Sequence, residues 1–255
     1  MLIMRYSLLG LAVLLLMLQY AGASYTVTHL NVTMVLNKNT SAFVNEVLTL
    51  QISNASVQQY TTNRLALNLT LSTWQSLVGP MLVQHIINPT GGLYNFKFLP
   101  GAIFKNSSGN FAYLLMSYDV PNVTTVEQTG PRSFVYSFNT KVFNFEHGVS
   151  GEVLPANTTF TIELPPGAQI ISVYPVPDSP PSAFTNSYRN VTKISWFYGE
   201  PLSSFTLKFS LQESIETEVL KFISGVYSFF GYYTYLIIAL AIVALILYLY
   251  FRVGK

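Results

Sequence analysis

Apolar and polar residues alternate with a period of two along most of the chain's middle, a pattern typical of half-buried β-strands. One alternation covers residues 30–36 and another covers 44–52, with turn-forming residues at 37–40 between them. We therefore predict a β-hairpin here. The alternation also predicts strands at residues 65–71, 96–104, 111–115, 120–128, 133–138, 160–164, 170–174, 191–197 and 204–211. The last four are expected to form one antiparallel set.

The period changes to that of an α-helix after the predicted strand at 65–71. Apolar residues recur at intervals of three and four over residues 74–85, and Ser72 and Gln75 have the spacing of a capping box. This predicts one clear helix near residues 72–86. Gly79-Pro80 should kink or split that helix, because proline removes a backbone donor and glycine favours a helix end.

The N-terminal residues 1–23 have the features of a signal peptide. Arg5 is followed by an apolar stretch over residues 8–18 and then by Ala21-Gly22-Ala23, which places small residues where a signal peptidase reads them. We expect cleavage after Ala23. The alternative is that the segment stays in place as a second membrane span, since its uncharged run is near the lower length limit for spanning.

The C-terminal end predicts a membrane anchor. Residues 213–232 have helical spacing and are expected to form a juxtamembrane helix, and residues 233–251 are uncharged, apolar and long enough for a transmembrane helix. Arg252 and Lys255 follow directly, so the positive-inside bias places residues 252–255 in the cytoplasm as a short tail. The expected localisation is the cell membrane, as a single-pass type I protein with its ectodomain outside.

These elements predict a mainly β fold: an antiparallel β-sandwich-like ectodomain with one short helix, followed by the juxtamembrane and transmembrane helices. We place a β-rich module at residues 24–150 and a membrane-proximal β module at 151–212. One large sandwich is equally compatible with the pattern.

Composition agrees with an extracellular domain. Charged residues make up 9% of the chain, against about 25% in ordinary soluble proteins, so neutral polar groups must supply solubility. Eight N-x-[ST] sequons lie in the predicted external segment, and we expect several to carry glycans. Their asparagines are Asn31, Asn39, Asn54, Asn68, Asn106, Asn122, Asn157 and Asn190.

Composition also excludes several functions. The chain has no cysteine, so it has no disulfide, thiolate nucleophile or cysteine-ligated metal. Its net charge is +2 and no basic cluster occurs, which argues against a nucleic-acid partner.

Candidate catalytic residues are few. The three histidines are His29, His85 and His147. We interpret His85 as a core residue on the predicted helix, and His147 as the most site-like, although no second ligand stands at metal-binding spacing. The only aspartates are Asp119 and Asp178, and glutamates such as Glu46, Glu127, Glu152 and Glu163 are scattered. No catalytic residue, metal or cofactor is therefore predicted.

The combination of signal peptide, dense sequons, absent cysteine, few charges and C-terminal anchor resembles single-span cell-surface glycoproteins of archaea, particularly thermoacidophiles. Residues 161–168, followed by a strand, a proline-rich loop and the strand bearing Trp196, are similar to membrane-proximal β modules of such proteins. They are loosely similar to the lumenal part of ribophorin-type oligosaccharyltransferase subunits. The resemblance implies no site residues.

The expected function is non-enzymatic: a structural or binding role at the cell surface, in an envelope, S-layer, adhesion or pilus context. Expected partners are the lipid bilayer and other surface proteins or glycans. One alternative is an accessory subunit of a membrane complex such as a translocation or glycosylation machine. Another is an extracytoplasmic hydrolase that depends on His147 or one glutamate.

Overall fold

The computed structural model describes residues 25–66, 70–149, 151–180, 191–231 and 233–253. The predicted signal peptide lies outside the described residues. The strands are β1 (Tyr25–Leu36), β2 (Ala42–Ile52), β3 (Tyr94–Pro100), β4 (Phe104–Asn106), β5 (Gly109–Val120), β6 (Thr124–Gln128), β7 (Ser133–Phe138), β8 (Glu146–Gly148), β9 (Gly151–Val153), β10 (Thr158–Glu163), β11 (Gln169–Tyr174), β12 (Lys193–Trp196) and β13 (Thr206–Gln212). The helices are α1 (Val57–Leu65), α2 (Leu71–Val78), α3 (Ile215–Phe230) and α4 (Tyr233–Val253). The prediction of a mainly β fold is confirmed.

The chain divides into two compact units. The first comprises Met1–Glu127 and Val135–Ser210, and the second comprises Gln128–Phe134 and Leu211–Lys255. The second unit therefore consists of the turn between β6 and β7, the end of β13, and the two C-terminal helices.

The larger sheet has the order β12-β10-β1-β2-β5-β3, with β4 also pairing with β5. The predicted hairpin is confirmed as β1 and β2, which pair antiparallel from Leu36 and Ala42 back to Tyr25 and Ile52. One pair departs from the expected antiparallel arrangement, because β1 and β10 run parallel, with Leu30 opposite Thr158. The sheet is therefore mixed.

A second sheet has the order β11-β13-β7-β6, and β8 and β9 form a separate two-stranded ribbon. The last four predicted strands exist, but they do not form one set. β10 and β12 join the larger sheet, whereas β11 and β13 join the four-stranded sheet. β10 and β12 therefore share a sheet with β1, β2 and β5. The predicted module boundary near residue 150 separates the first pair of strands from the other three, so it does not coincide with a division between sheets.

An aromatic cluster connects the two sheets inside the first unit. Phe160 on β10 stacks on Trp196 of β12 with ring centroids 5.6 Å apart. Phe205, just before β13, lies 5.1 Å from Trp196 and 5.3 Å from Phe138 of β7. Phe160, Trp196 and Phe205 are buried, so the core sits where the two sheets meet.

The helical region differs from its prediction. α2 ends at Val78, because Gly79 takes a φ of +103° and Pro80 follows, so residues 81–86 are not helical. The predicted strand at 65–71 is wrong at both ends, because Leu65 is the last residue of α1 and Leu71 is the first residue of α2. Residues 67–69 lie outside the described residues. Packing explains the helices, since Tyr60 of α1 and Trp74 of α2 are both buried with ring centroids 5.5 Å apart.

The second unit contains the two helices expected at the C-terminal end. Ser214 caps α3, its hydroxyl accepting a hydrogen bond from the Thr217 N–H at 3.2 Å. α3 ends at Phe230, and the next residue, Gly231, has a φ of +55°, which favours glycine. α4 covers 21 residues. Counted over the side chains that the structure describes, no helix is both long and apolar enough to cross a membrane.

Candidate functional site

A carboxylate, an imidazole and a phenol form one buried cluster in the first unit. Glu46 lies on β2, Tyr118 on β5 and His85 between α2 and β3, with exposures of 0%, 0% and 3%. Glu46 Oε2 lies 2.7 Å from His85 Nδ1. Glu46 Oε1 accepts a hydrogen bond from the His85 backbone N–H at 2.8 Å and another from the Tyr118 hydroxyl. Because an ionised carboxylate only accepts, Nδ1 carries the proton that it shares with Glu46.

The Tyr118 hydroxyl also accepts a hydrogen bond from the Ile86 N–H at 3.3 Å. Burial, and next the negative charge of Glu46, raise the pKa of the Tyr118 phenol far above its ordinary value. The phenol therefore remains a proton donor to the carboxylate at any physiological pH. The cluster joins two central strands to the segment after α2, which fixes the position of His85.

His85 also lines a cavity of about 450 Å³. The other lining residues are Pro80, Met81, Val83, Asn144, Phe145, Glu146 and Pro155. The rings of His85 and Phe145 have centroids 5.1 Å apart. Because Nδ1 is bound to Glu46, Nε2 lies on the side of the ring away from that carboxylate. Within the described residues, no protein group forms a hydrogen bond with Nε2.

The prediction that His85 is a core residue is confirmed, but its predicted place on a helix is wrong. His147, the most site-like histidine in the sequence, lies exposed on β8 opposite Glu152 of β9. Burial raises the pKa of the Glu152 carboxyl, and the charge of His147 opposes that rise. His29 Nε2 lies 3.3 Å from the hydroxyl of Thr159.

The structure does not bring these histidines together, and the described part of the chain contains no group of three histidine or acidic residues that could hold a metal ion.

Three of the other acidic residues have structural partners. Glu163 pairs with Lys193 across neighbouring strands at 3.1 Å. Asp119 accepts a hydrogen bond from the side-chain amide of Asn95, and Asp178 accepts one from the Phe197 N–H. These contacts hold loops and strand edges rather than a reacting group.

Charged residues of the second unit hold α3 on one side. Arg132, in the turn between β6 and β7, donates from Nε and Nη2 to the Glu213 carbonyl oxygen at 2.9 and 2.6 Å, and its Nε lies 3.4 Å from Glu218. Lys221 pairs with Glu213 at 2.5 Å and lies 5.8 Å from the Phe134 ring centroid. We name Arg132, Glu213, Glu218 and Lys221 the turn clamp.

The opposite side of α3 is apolar and exposed. At 100° per residue, these side chains cover an arc of about 180°, with Glu216 the one charged residue inside it. We name them the apolar face of α3: Ile215, Val219, Leu220, Phe222, Ile223, Tyr227, Phe229 and Phe230. Glu218 and Lys221 of the turn clamp lie outside this arc, so the clamp contacts the polar side.

The sequon asparagines differ in accessibility. Asn68 and Asn190 lie outside the described residues. The exposed asparagines are Asn39, Asn54, Asn106, Asn122 and Asn157. Asn31 is different, because it lies in β1 between β2 and β10, and its side-chain oxygen is buried without a hydrogen-bond partner.

Sequence reasoning missed the pairing of Glu46 with His85 and Tyr118. A signal was present, since Glu46 occupies an inward position in the alternation of β2, between Val44 and Leu48, which are both fully buried. A carboxylate at such a position requires hydrogen-bond donors. The position of Arg132 against α3 carried no sequence signal, because 81 residues separate it from Glu213.

Comparisons with known proteins add little. No family model matches the chain, and no curated protein matches it. Among solved structures, the folded domain of LppM from Mycobacterium tuberculosis matches with a TM-score of 0.26 and 9% identity, covering 78% of this chain and 95% of that one. The Mu homology domain of Danio rerio Fcho1 with bound Eps15 peptide matches with a TM-score of 0.21 and 11% identity, covering 75% and 79%.

Proposed function

We propose that this chain is an extracytoplasmic, N-glycosylated protein that its C-terminal helices anchor in a membrane, with a non-enzymatic structural or binding role at the cell surface. The carrying observation is the orientation of α3. The turn clamp occupies its polar side, and its apolar face is left exposed. An apolar helix face exposed in this way is suited to contact with the lipids of a bilayer.

The apolar face continues toward α4. Phe229 and Phe230 are 82% and 45% exposed at the end of α3, and Tyr233 and Tyr235 are 72% and 69% exposed at the start of α4. Aromatic side chains concentrate at the boundary between hydrocarbon and water, so this junction suits the outer interface.

α4 supplies the proposed transmembrane helix. Its 21 residues measure about 32 Å at 1.5 Å per residue, close to the hydrocarbon thickness of about 30 Å. Exposed apolar side chains occur along its length, among them Leu236, Leu240, Ile242, Val243 and Ile246. Arg252 and Lys255 follow the apolar run in sequence, which supports a cytoplasmic C-terminus.

The five exposed sequon asparagines support the external assignment of the first unit. They are distributed over strand ends and turns, where a glycan adds bulk without disturbing the core. The absence of a strong basic patch in the sequence fits partners that are proteins or glycans. The proposed partners are the bilayer and other surface molecules, as in an envelope, adhesion or pilus assembly.

Membrane extraction tests the anchor. The full chain, expressed in cells that export it, should stay with the membrane pellet at alkaline pH, and protease added to intact cells should digest residues 25–212. Replacing Ala241 and Ala244 by aspartate should release the chain, since each charge in the hydrocarbon costs about 3 kcal/mol. The same positions replaced by leucine should leave it in the pellet. Release of the unchanged chain at alkaline pH would refute the anchor.

A second experiment separates the surface role from an accessory subunit of a membrane complex. Residues 233–251 are replaced by an unrelated apolar helix of equal length, and proteins that co-purify with the full chain are identified by mass spectrometry. A surface role predicts unchanged partners, because binding lies in the first unit. Loss of the partners would contradict that role and favour the accessory subunit.

A further inference from the structure

The cavity beside His85 has the dimensions and the lining of a small-molecule site. Its volume of about 450 Å³ falls within the range of about 300–1,000 Å³ that ligand pockets occupy. Pro80, Met81, Val83 and Pro155 supply apolar walls, and Phe145 supplies an aromatic one. Its polar groups come from only three residues, His85, Asn144 and Glu146, and this is the usual composition of a site that orients a mostly apolar ligand.

The imidazole in this cavity is held in one orientation. Glu46 Oε2 accepts a hydrogen bond from His85 Nδ1 at 2.7 Å, and Glu46 Oε1 accepts one from the His85 backbone N–H at 2.8 Å. The described residues form no hydrogen bond with Nε2, and His85 is 3% exposed where it lines the cavity. Nε2 is therefore the ring nitrogen that can form a hydrogen bond with a ligand in the cavity.

The charges around the cavity select the kind of donor. Glu146 lines it, Glu46 lies behind the imidazole, and neither lysine nor arginine is among the lining residues. Two carboxylates without a cation favour a positively charged ligand. The Phe145 ring adds the face of an aromatic group, which also attracts a cation.

We propose that this cavity binds a small apolar primary amine, whose ammonium group donates to His85 Nε2 and to the Glu146 carboxylate while its apolar body lies against Val83, Met81 and Phe145. This site is independent of the membrane anchor and would supply the first unit with a ligand of its own. The occupant is a cation because the carboxylates of Glu146 and Glu46 lie beside the cavity and no lysine or arginine is among its lining residues.

Three probes of the same shape test the proposal: benzylamine, benzyl alcohol and benzoate. Each is titrated into the full chain in lipid nanodiscs at pH 7.5, with calorimetry as the readout and empty nanodiscs as the blank. Benzylamine should bind at least about fivefold more tightly than benzyl alcohol, which corresponds to one partly exposed ion pair. Benzoate should bind more weakly than both. Equal affinity for benzoate, or no heat from benzylamine, would overturn the proposal.

Two variants locate the site. Glu146→Gln removes the exposed carboxylate without touching the buried cluster, and it should weaken benzylamine about two- to fivefold while leaving benzyl alcohol unchanged. Glu127→Gln, an exposed carboxylate on β6 outside the cavity, is the matched control and should change nothing. Val83→Trp should fill the cavity and abolish binding of both probes. Unchanged benzylamine affinity in Glu146→Gln, or in a folded Val83→Trp, would contradict the assigned site.

Discussion

The hydroxyl of Tyr118 offers the sharpest test of the buried cluster. Tyr118→Phe keeps the ring and its packing but removes the hydrogen bond to Glu46 and the acceptor for the Ile86 N–H. A hydrogen bond to a charged group contributes about 1.5–3 kcal/mol, and a buried N–H left without a partner costs about 1–3 kcal/mol. We therefore expect the free energy of unfolding to fall by about 3 kcal/mol.

The assay is thermal unfolding of the full chain in detergent micelles, followed by near-ultraviolet circular dichroism. For a protein of this size the loss corresponds to a Tm lower by about 6–12 °C. Tyr113→Phe is the matched control, because Tyr113 lies on the same strand, is 43% exposed, and has no hydroxyl hydrogen bond within the described part of the chain. It should change stability by less than about 0.5 kcal/mol. Equal Tm values for the two variants would refute the energetic role of the cluster.

Three further predictions concern pH, glycans and the turn clamp. Burial raises the pKa of Tyr60 to about 12 and also raises the pKa of Tyr118, so between about pH 10 and 11 the unfolded chain loses these two protons and the folded chain keeps them. The free energy of unfolding, measured with urea, should therefore be about 3 kcal/mol lower at pH 11 than at pH 9, and Tyr118→Phe should show about half of that loss. Glycopeptide mass spectrometry should find higher occupancy at the exposed asparagines, for example Asn39 and Asn106, than at Asn31, and full occupancy of Asn31 would contradict the burial seen here. Arg132→Ala should free the start of α3 and speed protease cleavage near residue 213, whereas Arg64→Ala on α1 should leave that cleavage rate unchanged.

Strand positions could be predicted from the sequence because burial on one side of a sheet produces alternation. The inward residues of β2 are buried at every second position, from Ala42 to Ile52. The alternation does not indicate, however, which strands pair with one another or in which direction. β10 pairs with β1, more than 120 residues earlier in the chain, and does so in parallel. Such a pairing depends on the packing of Phe160 and Trp196 in the core, which no local pattern contains.

For the helices too, local sequence signals were predictive, whereas features that depend on tertiary packing were not. Gly79-Pro80 correctly indicated a break in the helix that follows Thr70, and the apolar spacing after residue 213 correctly indicated α3. The leucines at 65 and 71 suggested a strand, but tertiary packing of Tyr60 against Trp74 favours helices there. For the candidate site, the inward Glu46 was visible in the sequence, whereas its distance to His85 depends on the course of the chain after α2.

The orientation of α3 is the central claim, and site-directed spin labelling measures it most directly. The chain has no cysteine, so a single cysteine can be introduced at Phe222 on the apolar face or at Ser224 on the polar side. In lipid nanodiscs, a nitroxide at position 222 should collide readily with oxygen and poorly with a water-soluble nickel chelate, and a nitroxide at position 224 should show the reverse. Equal access of the nickel chelate to both positions would contradict the account, because it would place the apolar face of α3 in water.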